Sequence, residues 1–243
     1  VFPGIGTIIN VAAILLGALL GVTVGNRLKE DTRNLLTDIL GSITIISAAY
    51  SISAISSPEL ISALAQGAPL LSTLASLLVG GIIGSVIGIE ERINTFGARL
   101  KRRFEGEGES LFAQGFLASS LLFVIGPLAI LGSISDGMST GIEQLTLKSI
   151  LDFFAALAFA AAFGWGVAFS ALPVGIYQLF WTMIGFFLGA ILEPFQVQSM
   201  TAVGGVLLLG IGLKLLRIKE MAIGNLLPAL VIAPIFASLL ERF

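Results

Sequence analysis

The chain has 243 residues, 56% of them hydrophobic and only 12% charged, with 29 glycines, a formal charge of -2 and a mean hydropathy of +1.02. Soluble domains carry about 25% charged residues, so in water this composition would expose apolar patches of a size that soluble monomers avoid. A soluble chain is therefore excluded, and no net basic field is left for nucleic acid. The absence of Cys and His removes disulfides, thiolate nucleophiles, the usual metal ligands and the commonest general base. No cofactor is expected, and no metal ligands are nominated; a metal site would have to be built from oxygen alone.

A membrane-crossing helix needs about 20 mostly apolar residues, and eight windows meet or approach that length. In chain order they are Gly4–Val24, Leu35–Ile55, Leu70–Ile89, Leu111–Ile134, Phe153–Leu172, Val174–Leu192, the short Val197–Leu213, and Met221–Leu240. Gly126 and Pro127 interrupt the fourth window, and Pro228 and Pro234 interrupt the eighth. No basic stretch precedes the first window, so no cleavable signal peptide is expected.

The basic residues test this division. Connections after windows one, three and seven hold Arg27, Lys29 and Arg33; Arg92, Arg99, Lys101, Arg102 and Arg103; and Lys214, Arg217 and Lys219. The opposite side has only Lys148 and Arg242. The positive-inside rule places the larger set in the cytoplasm. The expected fold is an all-α, polytopic bundle of about eight spans with both termini outside, two of the spans interrupted.

Ile93, Phe96, Leu100 and Phe104 recur at helical spacing among Arg99, Lys101, Arg102 and Arg103. This fits a basic amphipathic helix on the inner leaflet, or topology retention alone. Residues 105–110, Glu-Gly-Glu-Gly-Glu-Ser, read as a flexible acidic linker. It would separate a three-span half, 1–104, from a five-span half, 111–243, within one membrane domain.

Gly17, Gly21 and Gly25 recur every four residues in the first window, Gly80, Gly84 and Gly88 in the third, and Gly185 and Gly189 in the sixth. Such ladders let helix backbones approach where lipid removes the hydrophobic drive. They would serve contacts within the chain or a homodimer. They also suggest a cryptic inverted relation between spans one to three and six to eight, or reflect only the commonness of small residues in membrane helices.

Charges deep in a bilayer mark function, and these windows place no carboxylate near a midpoint. Asp136, Lys148 and Asp152 are expected as a charged cluster at the outer mouth, with Lys148 and Asp152 four residues apart; the bland alternative is an exposed ion pair. The midplane offers broken backbone instead. Freed carbonyls at Gly126-Pro127 and near Pro228 must be satisfied by protein, water or an ion, and paired interruptions point to a transport site or to structural kinks. Asn10, Gln178 and Asn225 are the side-chain amides well inside windows, and they read as neutral ligands or as interhelical hydrogen bonds. Thr44, Ser47 and Ser51 share a face of the second window and are expected to bond back to their own helix.

Gly6 to Asn10, Gly126 to Ser133 with Asp136-Gly137, Lys148 to Asp152, Gly164 to Ser170 with Pro173, Tyr177 and Gln178, Ala202 to Gly205 with Gly210 to Gly212, and Gly224 to Pro228 together resemble the domain of unknown function 554 family, the YdfK/YqgA-type bacterial membrane proteins. The resemblance covers essentially the whole chain; Leu128 stands where Met is expected in many members. It implies a multi-spanning bacterial inner-membrane protein of a kind often suspected of transport, and it brings no ligand. The leading reading is a transporter or channel for an ion or small solute in the bacterial cytoplasmic membrane, its site formed by Asn10, Gly126, Pro127, Gln178, Asn225 and Pro228. The alternatives are a membrane-embedded enzyme or lipid-handling protein, or an assembly scaffold. No metalloprotease motif, P-loop or serine elbow supports the enzyme.

Overall fold

The computed structural model describes residues 2–25, 29–65, 67–92, 95, 111–124, 127–139, 141–188 and 192–241. The linker 105–110, Gly126, Gly189 and, apart from Thr95, the basic segment 93–104 lie outside them. The described residues are helical: α1 (Ile5–Gly25), α2 (Glu30–Ile52), α3 (Pro58–Ala63), α4 (Ala68–Ile87), α5 (Leu111–Val124), α6 (Pro127–Gly137), α7 (Glu143–Phe163), α8 (Gly166–Phe169), α9 (Ala171–Leu188), α10 (Pro194–Leu215) and α11 (Pro228–Leu239). Short 3-10 turns stand at Ser53–Ser56 and Ile223–Leu226.

Six helical stretches are long and apolar enough to cross a membrane: Ile5–Gly25, Glu30–Ala63, Ala68–Ile87, Glu143–Phe163, Gly166–Phe187 and Pro194–Leu215. The pair Leu111–Val124 and Leu128–Gly137 is bent by 62°, and Ile223–Leu239 is a shorter apolar helix. Pro127 and Pro228 stand at the first position of α6 and α11, where the missing amide costs no helical bond. The fifth window is misplaced. The helix there begins at Glu143, ten residues before Phe153, because Lys148 and Asp152, which mark the window's edge in the sequence, pair inside the protein and do not end the helix.

What the helices bury and expose inverts the pattern of a soluble protein. On α4 the buried residues are Ala68, Pro69, Ser72, Thr73, Ser76, Gly80 and Gly84, while Leu70, Leu71, Leu74, Leu78, Ile82 and Val86 face outward. Small and polar groups inside with large aliphatics outside is the arrangement that lipid, not water, stabilises.

The chain divides into two compact units, Val1–Leu40 with Asn94–Val124 and Leu128–Ile191, and Gly41–Ile93 with Ile125–Pro127 and Leu192–Phe243. Each unit draws on both sides of the linker. In the first, α1 and α7 run parallel in close register: a Cβ on Gly17, Gly21 or Gly25 would overlap the carbonyl oxygens of Phe153, Leu157 and Ala161 in turn. Helix α5 runs antiparallel to α7, since Gly115 meets Phe163 and Phe123 lies under Lys148. Gly185 abuts the backbone of Ile134.

In the second unit Gly80 and Gly84 receive the backbone of Ala229 and Asn225, so α4 and α11 are antiparallel. Gly205 meets Ile52 and Gly212 meets Ile45, so α2 and α10 are antiparallel as well. One end of this unit gathers Leu60, Leu64, Ala68, Phe195 and Ala237. Gly88 is not a packing glycine: it closes α4 at φ +71 with open space where a Cβ would stand.

Candidate functional site

The close approach of α1 to α7 brings Asn10 onto the face of α7 that carries Lys148 and Asp152. Asn10 Nδ2 donates to Asp152 Oδ2 at 3.0 Å, and Lys148 Nζ reaches the same oxygen at 2.5 Å. All three side chains are interior: Asn10 is 0%, Lys148 5% and Asp152 6% exposed. The ammonium also stands 6.0 Å from the centroid of the Phe123 ring on α5, within cation–π range. Asp152 is the tenth of the 21 residues of α7. The expectation that no carboxylate lies near the middle of a span is therefore overturned, and Lys148 and Asp152 form a buried pair rather than an exposed charged mouth.

Asn10 and the helices packed with α1 and α7 carry further polar atoms without partners. A carboxylate only accepts, so the amide nitrogen of Asn10 must face it, and Asn10 Oδ1 is left without a partner. On α9, Gln178 is 0% exposed, and neither Oε1 nor Nε2 has a partner. Gln178 lies between Gly175, which touches Val11, and Thr182, whose hydroxyl is 3.4 Å from that of Thr7. Its face of α9 is thus opposite the turn of α1 that holds Asn10.

Ser120 Oγ on α5 is buried and unpartnered too. It is one turn before Phe123, whose ring lies under the Lys148 ammonium. Ser72 Oγ on α4 is likewise buried and unpartnered, whereas Ser76, Ser119, Ser133 and Ser149 each donate to the carbonyl four residues back, the ordinary fate of a helical hydroxyl.

Asp136, expected beside Lys148 and Asp152, does other work. Its Oδ2 accepts the amides of Gly4 and Gly6, both at 3.1 Å, so it caps the N-terminus of α1, where the helix dipole favours an anion. An apolar groove of about 670 Å³ borders α1, α8 and α9 and is lined by Val11, Leu15, Trp165, Phe169 and Leu172 among others; no charged side chain lines it.

Asn225 belongs to the second unit and is engaged there. Its Oδ1 accepts the amide of Glu90 at 2.9 Å, while Glu90 Oε2 accepts the amide of Gly224 at 2.6 Å. Lys214 Nζ lies 3.8 Å from Glu90 Oε1. This reciprocal clasp ties the residues just after α4 to the turn ahead of α11, so the oxygen of Asn225 is not left for a ligand. Pro228 stands beyond that turn, and Pro127 opens α6.

Sequence reasoning picked Asn10, Gln178, Lys148 and Asp152 but set them at different depths. It missed Ser120 and Glu90. Ser120 carries no signal apart from its neighbours, whereas Glu90, two residues past the helix-ending Gly88, is a recognisable capping position.

Interior polar groups, outward aliphatics and six helices of membrane length make this a multi-pass helical membrane protein. The chain belongs to the family described as "Protein of unknown function (DUF554)", which matches residues 5–238. It is 32% identical over 234 residues to "Uncharacterized protein YqgA" of Escherichia coli (strain K12), covering 94% of each chain. It is 29% identical over 240 residues to "Uncharacterized membrane protein YdfK" of Bacillus subtilis (strain 168), covering 98% of this chain and 97% of that one. No solved structure matches.

Proposed function

We propose that the protein moves a small ion or polar solute across the bacterial cytoplasmic membrane, with Asn10, Ser120, Lys148, Asp152 and Gln178 as its site. The observation that carries this reading is Gln178, fully enclosed with both amide atoms unpartnered, opposite the turn of α1 whose Asn10 holds a buried ion pair. Isolating a polar group costs about 1–3 kcal/mol, and ionisable groups inside a membrane protein face substrate or ion pathways. The cluster replaces the wholly neutral midplane site expected from sequence, because its charges neutralise each other within the helices.

The path is eight passes, N-out and C-out, with the basic connections in the cytoplasm. The helix directions within each unit support it: α1 and α7 are parallel, as spans one and five should be, while α2 with α10 and α4 with α11 are antiparallel. Spans one and six touch through Thr7 and Thr182, two and seven through Gly205 and Ile52, and three and eight through Gly84 and Asn225. That pairing supports the inverted relation between spans one to three and six to eight.

Flux into proteoliposomes containing the pure full chain, challenged with sodium, potassium, magnesium and small metabolites, tests the proposal. Uptake of at least one species is expected, falling about tenfold or more in Asp152→Asn. No flux across the panel would overturn it.

A further inference from the structure

We infer that the cluster is a binding site for a small monovalent cation of sodium or lithium size, and that Lys148 is the resident cation it displaces. The inference takes the same residues as the transport reading and commits to the ligand.

The charged pair sets the sign, and the free oxygens supply ligands. Asn10 Oδ1 can only accept, Gln178 Oε1 can only accept, and the Ser120 hydroxyl can present its lone pairs; none has a partner. Both bonds to Asp152 use Oδ2, so Oδ1 takes part in neither. Three neutral oxygens and one carboxylate form a hard-oxygen set. Gln178 Nε2 and Trp181 Nε1 on α9 are unpartnered donors as well, but the ammonium of Lys148 is already engaged by Asp152, so an anion would meet a carboxylate with no free positive charge to offset it.

Charge sets the valence. A divalent ion is usually held by several carboxylates, and the described residues contain no group of three or more acidic, His or Cys side chains. One carboxylate balances one monovalent ion. When that ion binds, Lys148 must give up Asp152, and the Phe123 ring 6.0 Å from its ammonium offers it an alternative partner.

The test uses the full chain purified in detergent. Thermal unfolding, followed by Trp165 and Trp181, is compared in sodium, lithium, potassium and choline chloride at about 0.15 M, alongside equilibrium binding of radiosodium. Sodium or lithium should raise the midpoint by about 3 °C or more over choline, and radiosodium should bind saturably. Gln178→Leu and Asp152→Asn should each lose both effects. Lys148→Gln should bind sodium about tenfold more tightly, because the competing ammonium is gone.

Should either carboxylate or lysine variant fail to fold, wild type and Gln178→Leu suffice. Equal midpoints in all four salts without saturable radiosodium, or binding undiminished in Gln178→Leu, would overturn the inference. Saturable sodium with no flux in liposomes would remove the transport reading alone; solute flux without sodium binding would remove this inference alone.

Discussion

Asp152 shows how a single residue acquires its role from neighbours far away in sequence. Its oxygen is shared by Lys148, one turn back, and by Asn10, 142 residues earlier. Breaking such a pair from one side leaves a charge stranded. Lys148→Ala should therefore lower stability by about 3–5 kcal/mol, whereas the double replacement Lys148→Met with Asp152→Leu should recover most of that loss; unfolding by SDS titration would read both, and flux should be lost in each. The four-residue spacing of Lys148 and Asp152 was legible in the sequence, as was the rarity of Asn10 and Gln178 in apolar runs. Their shared depth was not, because a window drawn by hydropathy treats charges as an edge, while the folded chain neutralises them inside. Asp136 was misassigned for a related reason: nothing local reveals that its carboxylate is used up by the amides of Gly4 and Gly6.

At the scale of elements, glycine period predicts a close contact without naming the partner. The ladder on α1 is occupied by α7, and Gly80 and Gly84 on α4 by α11, so these faces are used within the chain. Gly21→Ala would drive a methyl group into the Leu157 carbonyl and Ala160, backbone that cannot yield without shifting α7, and should cost about 2 kcal/mol. Gly88→Ala meets nothing within 4 Å but keeps a left-handed φ, and should cost about 1 kcal/mol through the backbone alone. SDS titration of the two variants separates them further by flux: a shift of α7 moves Asp152, while Gly88 is a C-cap in the other compact unit. Helix existence was readable from apolar length at all eight windows, yet α7 began ten residues early because a hydropathy profile counts Lys148 and Asp152 as charges and not as the pair they form within the helix.

For the whole molecule, the proposed eight-pass path makes the ends of each unit predictable. In the first unit Gly4, Gly6, Asp136 and Leu145 meet at one end, and Gly25 with Ala161 and Gly166 with Phe112 lie toward the other. In the second, Leu64 bridges to Glu241 at the end holding Phe195, and Glu90, Lys214 and Gly224 gather away from it. The proposed path puts the connections after spans two, four and six and both termini on one side, and those after one, three, five and seven on the other. The chain has no Cys, so single cysteines report sides without background. Glu59→Cys and Met138→Cys, both at exposed positions, should react with a membrane-impermeant maleimide added to intact cells. Lys29→Cys and Lys219→Cys, likewise exposed, should react only after the membrane is opened. An odd number of passes anywhere between Lys29 and Lys219 would put those two on opposite sides, which is the result that the basic residues, clustered on alternate connections, argue against.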